Sequence, residues 1–356
     1  MRPTVRQIAQ QANVSPATVS RALNDYPYVD DATRATVLHA AEALGYPLKA
    51  AARPAQTSKT ILLLVRSDDV MRESEVFANS GIEGSIHRAA QPILEQHGLT
   101  VRLQRTRMDP HEAETYAGDP NVGGLIFMGG IVNRQLLVAL QRVGLPIVVV
   151  GAHVNPLQVN CVIADYLDGT AQVVEHLLTA GRRRIALVNG PCTTTSSEEK
   201  EKGFRLALAC HGITGEPVSV NCGDFDAGSG YAMTQRVLAA APDVDAIAYA
   251  SDTMAIGGVS ALREAGRRVP DDVAITGFYD YDIARFTDPP LTTARADFLT
   301  MGAIAARRLL MLMNEPDGQA WTVVTPCPLV IRSSSCANQK PVFSEKTGFS
   351  PTPPKP

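Results

Sequence analysis

Two hydrophobic periods divide the chain. Up to about residue 46, apolar positions recur every three or four residues. Val5, Ile8, Ala9 and Ala12 fall on one face of a first predicted helix, running from Thr4 to about Ala12. Thr4 suits its start because a threonine hydroxyl can accept a free backbone N–H. A second helix is predicted from Ser15, with Pro16 in the first helical position, where a missing N–H costs nothing, and with Val19 and Leu23 inward. A third begins at Asp30 or Asp31 and runs to Leu44. Its inward residues are Val37, Ala40, Ala41 and Leu44, and Gly45 ends it. Only Ala12-Asn13-Val14-Ser15 joins the first two helices, so the link is a tight turn, and Asn13 is the residue there best able to turn left-handed. A helix, a short turn and a second helix, with a third closing the core, form a helix-turn-helix unit.

Beyond a linker at 47–60, PLKAAARPAQTSKT, the period changes. Continuous apolar runs appear: ILLLV (61–65), VGGLIFM (122–128), LPIVVVG (145–151), RIALVNG (184–190), VDAIAYA (244–250) and DVAITGF (272–278). Helical stretches lie between them, including 86–97, 133–143, 168–180, 198–211, 229–241 and 253–265. Such alternation predicts parallel sheets covered on both faces. A stretch of about 275 residues suits two lobes better than one sheet. The expected division is a helix-turn-helix head at 1–48, a hinge or linker at 49–59 and a body at 60–335. The last stretch, 336–356, has five prolines after residue 340 and is expected to be unstructured.

Composition narrows the class. The 356 residues are 45% hydrophobic, 19% charged and 5% aromatic, values that exclude a disordered chain, a collagen-like fibre or a small disulfide scaffold. No window approaches the run of apolar residues that a membrane span needs, and the first residues lack a signal-peptide core, so a cytoplasmic protein is expected. The six cysteines, Cys161, Cys192, Cys210, Cys222, Cys327 and Cys336, contain no C-x-x-C pair and are expected to be free thiols; no metal or cofactor is expected. Charge is uneven. Residues 1–60 carry seven basic and four acidic side chains, a net of +3, which leaves −6 on the rest of a −3 chain. A basic head on an acidic body suggests a polyanion partner for the head alone.

The second helix carries the sharpest chemistry. The N-terminal side chains of such a helix enter the major groove of DNA. Pro16 and Ala17 offer shape and apolar contact, as toward thymine methyls, and Arg21 is the long fork available for a guanine edge. Thr4, Arg6, Ser15, Thr18, Ser20 and Asn24 suit phosphate contacts, which set register without reading sequence. An enzyme on a doubly wound fold is the second reading, but no G-x-G-x-x-G follows a strand and no Walker loop or H-E-x-x-H occurs. A transport-type binding protein is the third; the head argues against it.

The segment TVRQIAQQANVSPATVSRALN, followed by DDATRATVLHAAEALGY, resembles the head of the lactose-repressor-type (LacI/GalR) regulators. In the body, VGGLIF, LPIVVVG, IADYLDG, GRRRIALVNGP, KGFRLAL, DAIAYASDTMAIGGVSALREAGRRVPDDVAITGFYDYD and PPLTTARAD follow that family's order, so the resemblance spans about 4–333. It implies an all-α helix-turn-helix head on an α/β two-lobed, periplasmic-binding-protein-like (type I) body. Lobe 1 would hold 60–163 and 292–321, and lobe 2 would hold 164–291 and 322–335. It also implies a homodimer on double-stranded operator DNA, controlled by a small sugar-like effector between the lobes. Tyr28, Thr33, Ala52, Arg53 and Ala55 join the implied DNA contacts.

Several positions depart from the family. Its hinge wedges a leucine into the minor groove; the aligned residue is Ala55, after Pro54. Proline removes a helical N–H and one carbon makes a poor wedge, so weaker operator bending, or another residue such as Leu48, is expected. A frequent effector-binding arginine is Lys200, which keeps the charge without the fork. The usual Asn-Asp is Ser251-Asp252, and Gly-Phe-Asp-Asp is Gly277-Phe278-Tyr279-Asp280, so an expected aspartate is Tyr279. Tyr279 suits either ring stacking on the effector or packing at the cleft edge. Asp252 suits both N-capping and the cleft. Asp165 and Asp168 follow the lobe crossover, as cleft or helix-entry residues. Asp68 and Asp69 follow the first strand, at the end where open α/β sheets bind ligands.

Overall fold

A computed structural model describes residues 4–23, 29–44, 59–66, 81–130, 132–154, 157–214, 217–220, 224–314 and 319–336. The chain divides into two units, 1–58 and 59–356.

The first unit holds α1 (Val5–Gln11), α2 (Pro16–Leu23) and α3 (Asp31–Ala43). Thr4 and Gln7 close a capping box on α1. Ser15 caps α2 by accepting the Thr18 N–H at 3.0 Å, and Asp30 accepts the Thr33 N–H ahead of α3 at 2.9 Å. Asn13 has φ of +52°, so the expected left-handed turn is present. The core is Ile8, Ala9, Ala12, Val19, Ala22, Val29, Val37, Ala40 and Ala41, with Val5, Val14 and Leu44 packed against it.

The second unit holds two six-stranded sheets. The first uses β1 (Thr60–Arg66), β2 (Thr100–Thr106), β3 (Val122–Met128), β4 (Ile147–Val150), β5 (Asn160–Ala164) and, from far along the chain, β11 (Thr322–Thr325). Its order is β11-β5-β4-β3-β1-β2, parallel throughout. The second uses β6 (Ile185–Val188), β7 (Ser219–Val220), β8 (Ala246–Tyr249), β9 (Ala274–Tyr279), β10 (Thr292–Arg295) and β12 (Leu329–Val330). Its order is β12-β10-β9-β8-β6-β7, with β12 alone antiparallel. Helices α4 (Ile82–Glu95), α5 (Glu112–Gly118) and α6 (Arg134–Arg142) accompany the first sheet. Helices α7 (Tyr166–Thr179), α8 (Thr195–Cys210), α9 (Ala227–Ala240) and α10 (Asp252–Glu264) accompany the second, and α11 (Phe298–Asn314) returns to pack on α4. All seven residues of β3 are buried, as expected of a parallel strand covered on both faces.

The expected lobe boundaries need correction. Residues 292–295 belong to the second sheet, beside β9, and residues 322–325 belong to the first, beside β5. The chain thus crosses between lobes three times: near 165, after Arg295, and between β11 and β12. β11 completes one edge of the first sheet and β10 lies one strand in from an edge of the second, and a crossing falls just after each. The lobes touch where the Tyr166 hydroxyl donates to the Gly151 carbonyl at 3.2 Å and the Thr195 hydroxyl to that of His153 at 2.7 Å. Among the described residues, no helix is long and apolar enough to cross a membrane.

Candidate functional sites

In the head, α2 is two-faced. Val19 and Ala22 are buried, whereas Ser15, Pro16, Ala17, Ser20 and Arg21 are exposed and Thr18 is half-buried. The small residues at its start leave that end open to a flat partner. The Ser15 and Thr18 hydroxyls also bond to each other at 2.8 Å, so capping holds both at the helix start. Thr4 and Arg6 are exposed at the start of α1, and Thr33 is half-buried in the first turn of α3. Asn24, Tyr28, Ala52, Arg53 and Ala55 lie outside the described residues, as do Pro54 and Leu48.

In the body, four of the expected cleft residues, Lys200, Ser251, Asp252 and Tyr279, meet at the carboxyl ends of the second sheet's strands. Lys200, on α8, is fully buried; its ammonium donates to the Ala250 carbonyl at 2.8 Å and the Tyr279 hydroxyl at 2.9 Å. It lies 4.3 Å from the ring centres of both Phe278 and Tyr279, 5.2 Å from Tyr166 and 5.5 Å from Phe225. Burial pulls its amine down to about 7, and the charges of Cys327 and Asp252 offset part of that. Asp252 opens α10. Its two carboxylate oxygens accept the Tyr281 N–H at 2.7 Å and the Thr293 hydroxyl at 2.6 Å. Burial pushes this carboxyl up to about 7 against those two hydrogen bonds.

Ser251 is the N-cap of α10, accepting the Met254 N–H and donating to the Phe225 carbonyl. Tyr279 is buried, at the end of β9 with φ of +100°; its ring stacks on Tyr281 with centres 5.4 Å apart and packs on Phe278 and Phe298. Asp165 caps α7 by accepting the Asp168 N–H, and Asp168 is exposed and bonded to Gln172. Both therefore occupy the helix entry. Asp68 and Asp69 lie outside the described residues.

Three features were not read from the sequence. The aromatic floor of Tyr166, Phe225, Phe278, Tyr281 and Phe298 draws on four separate chain segments. Glu83 of α4 comes close enough to Tyr281 to act on its hydroxyl, and burial pushes the Glu83 carboxyl upward. Asp280, its side chain only 1% exposed, bonds to Arg295 at 2.7 Å and Arg332 at 2.5 Å, at the second crossover and just past the third. The GFYDYD segment was the available signal for the rings and for Asp280. A cavity of about 340 Å³ opens beside Tyr279 and Tyr281, with Ser85, Arg88, Arg295 and Phe298 on its wall. Among the described residues no group of three or more His, Cys, Asp or Glu could hold a metal.

Comparison with known proteins decides the kinship. Residues 4–47 match the profile of bacterial regulatory proteins of the lacI family, and residues 174–335 match that of the periplasmic binding protein-like domain. The HTH-type transcriptional regulator CelR of Thermobifida fusca is 32% identical over 337 residues, covering 94% of this chain and 98% of CelR. The chain belongs to the LacI family. The HTH-type transcriptional repressor PurR of Mannheimia succiniciproducens is 29% identical, covering 93% of this chain and 98% of PurR. The solved structure of a regulator CelR–cellobiose complex matches with a TM-score of 0.70 at 30% identity, covering 94% of this chain and all of that one. A lac repressor dimer bound to operator and the anti-inducer ONPF matches at 0.68 and 27%, again over 94% of this chain and all of that one. As a LacI-family member, the chain is a DNA-binding transcriptional regulator rather than an enzyme.

Proposed function

We propose that this LacI-family chain is a repressor that acts as a homodimer in the cytoplasm, on nucleoid DNA. Its two heads take the half-sites of a pseudo-palindromic operator. A small effector held between the lobes, a sugar or sugar derivative, sets operator affinity. The observation that carries the DNA reading is α2, which buries Val19 and Ala22 and exposes Pro16, Ala17 and Arg21 at its free face. Arg21 reads a base edge; Thr4, Arg6, Ser15, Thr18, Ser20, Asn24, Tyr28 and Thr33 hold the backbone; Ala52, Arg53 and Ala55 meet the minor groove weakly. The relatives that bind cellobiose or an anti-inducer support the effector reading. Lys200, Ser251, Asp252 and Tyr279 would form the floor of that site, with Asp68, Asp69, Asp165 and Asp168 at its rim.

Control then follows from linkage. An effector shifts the angle between lobes only by its differential affinity for the two arrangements, typically about 1–3 kcal/mol of coupling. Operator must change effector affinity by the same factor. Thermal-shift screening of sugars and sugar derivatives finds the ligand, and calorimetry with and without operator tests the coupling. Equal effector affinity in both would exclude it.

A further inference from the structure

The polar groups on the cleft floor point to the class of effector, an inference that rests on the effector reading above. Three polar side chains around this floor are engaged inside the protein. Asp252 gives both oxygens to Tyr281 and Thr293, and Ser251 is engaged by Met254 and Phe225. Asp280 is held by Arg295 and Arg332. A ligand hydroxyl would meet oxygens that protein donors already hold.

Lys200 is the exception. Unlike Arg295 and Arg332, which bond Asp280, it is a fully buried cation whose two hydrogen-bond partners are both neutral oxygens. Four aromatic rings surround the ammonium, and Tyr281 and Phe298 extend the apolar surface past Tyr279. A buried cation is costly without an anion, and ring faces compensate only in part. Asp252 and Cys327 act on it through charge, but neither accepts a hydrogen bond from it. The amine's own lowered proton affinity reports the same deficit.

We propose that the cleft takes a ring-borne carboxylate. The acid group pairs with Lys200 in place of the Tyr279 hydroxyl, and the flat face of the ring lies on the aromatic floor. Sugar acids and aryl acids share this chemistry. A lysine meets a carboxylate as a point charge, without the forked contact an arginine would make.

The test uses the full-length chain and two acid–neutral pairs, D-glucuronate with D-glucose and benzoate with benzyl alcohol, alongside cellobiose. Calorimetry should show at least tenfold tighter binding of the acid than of its neutral mate in one pair, and the responding pair identifies a sugar or an aryl acid. Lys200→Gln should abolish that preference, Lys200→Arg should retain it, and Tyr279→Phe, which removes the competing hydroxyl, should tighten acid binding several-fold. The pairwise comparison on the unaltered chain and the Tyr279→Phe result stand even if Lys200→Gln does not fold. Neutral mates that bind as well as the acids, an acid affinity indifferent to Lys200→Gln, or no binding of either acid at millimolar concentration would overturn the proposal. Cellobiose that binds and moves operator affinity, with neither acid binding, would leave the effector reading intact and sink the acid. An acid that binds as expected without moving operator affinity would do the reverse.

Discussion

Arg21 stands exposed in the last turn of α2, on a helix whose opposite side is buried. If it forks onto a guanine, Arg21→Ala costs about 1–3 kcal/mol and flattens preference at one base pair. Anisotropy titrations against single-base operator variants measure this, and equal weakening on every sequence would instead make Arg21 a phosphate contact. The cleft offers a second residue-scale test through pH. Lys200 has its proton affinity lowered from 10.5 to about 7, so between those values the unfolded chain binds a proton that the folded chain lacks. Stability therefore climbs with pH across that window, and Lys200→Met should remove the climb. Asp252 is the opposite case, raised from 3.8 to about 7, so the folded form holds the extra proton between those values and stability falls as pH rises. Urea titrations at stepped pH separate the two, and an unchanged profile in both Lys200→Met and Asp252→Asn would contradict the burial account. Residue-scale legibility was uneven. Asn13 was readable because a four-residue link leaves few solutions. The ring cage was not, because Tyr166, Phe225 and Phe278 meet only after the sheet order is set.

Elements were legible where apolar runs are continuous. The VGGLIFM run coincides with β3, and the other five runs each contain or overlap a strand. β2, TVRLQRT, escaped because an edge strand needs little burial and five of its seven residues are polar or charged, all but Thr106 of them at least partly exposed. β11 and β12 are short, and the order in which they join the two sheets is a property of pairing rather than of local sequence; the misplaced lobe boundaries follow from that. Glycines show how closely helices approach. A Cβ on Gly257 of α10 would lie 1.8 Å from the Ala227 carbonyl oxygen of α9, and one on Gly203 of α8 would lie 2.2 Å from that of Leu167 on α7. Backbone cannot yield as a side chain can. Gly257→Ala should therefore destabilise the body by about 1–3 kcal/mol, the range for overpacking, as read by chemical denaturation. An unchanged midpoint would show that α9 and α10 can part freely.

For the whole molecule, the three crossovers make lobe geometry the variable that an effector can move. Asp280 anchors the second sheet's side of two crossovers, because its buried carboxylate bonds Arg295 at the end of β10 and Arg332 just past β12. Removing one partner of a buried ion pair costs about 3–5 kcal/mol, so Asp280→Asn should lower body stability toward that range and alter effector coupling more than Arg21→Ala does. Calorimetric linkage in both variants checks this, and identical coupling would remove Asp280 from the hinge. Head charge and body charge were legible from composition, but they named only the kind of partner. The central claim remains that α2 enters a groove of operator DNA. A nuclease footprint of the full-length chain over its own promoter region tests that most directly. The account predicts a protected pseudo-palindrome that fades steeply with added salt and is lost or relaxed in Arg21→Ala. No protection at low salt, with and without the acids, sugars and cellobiose named above, would contradict it.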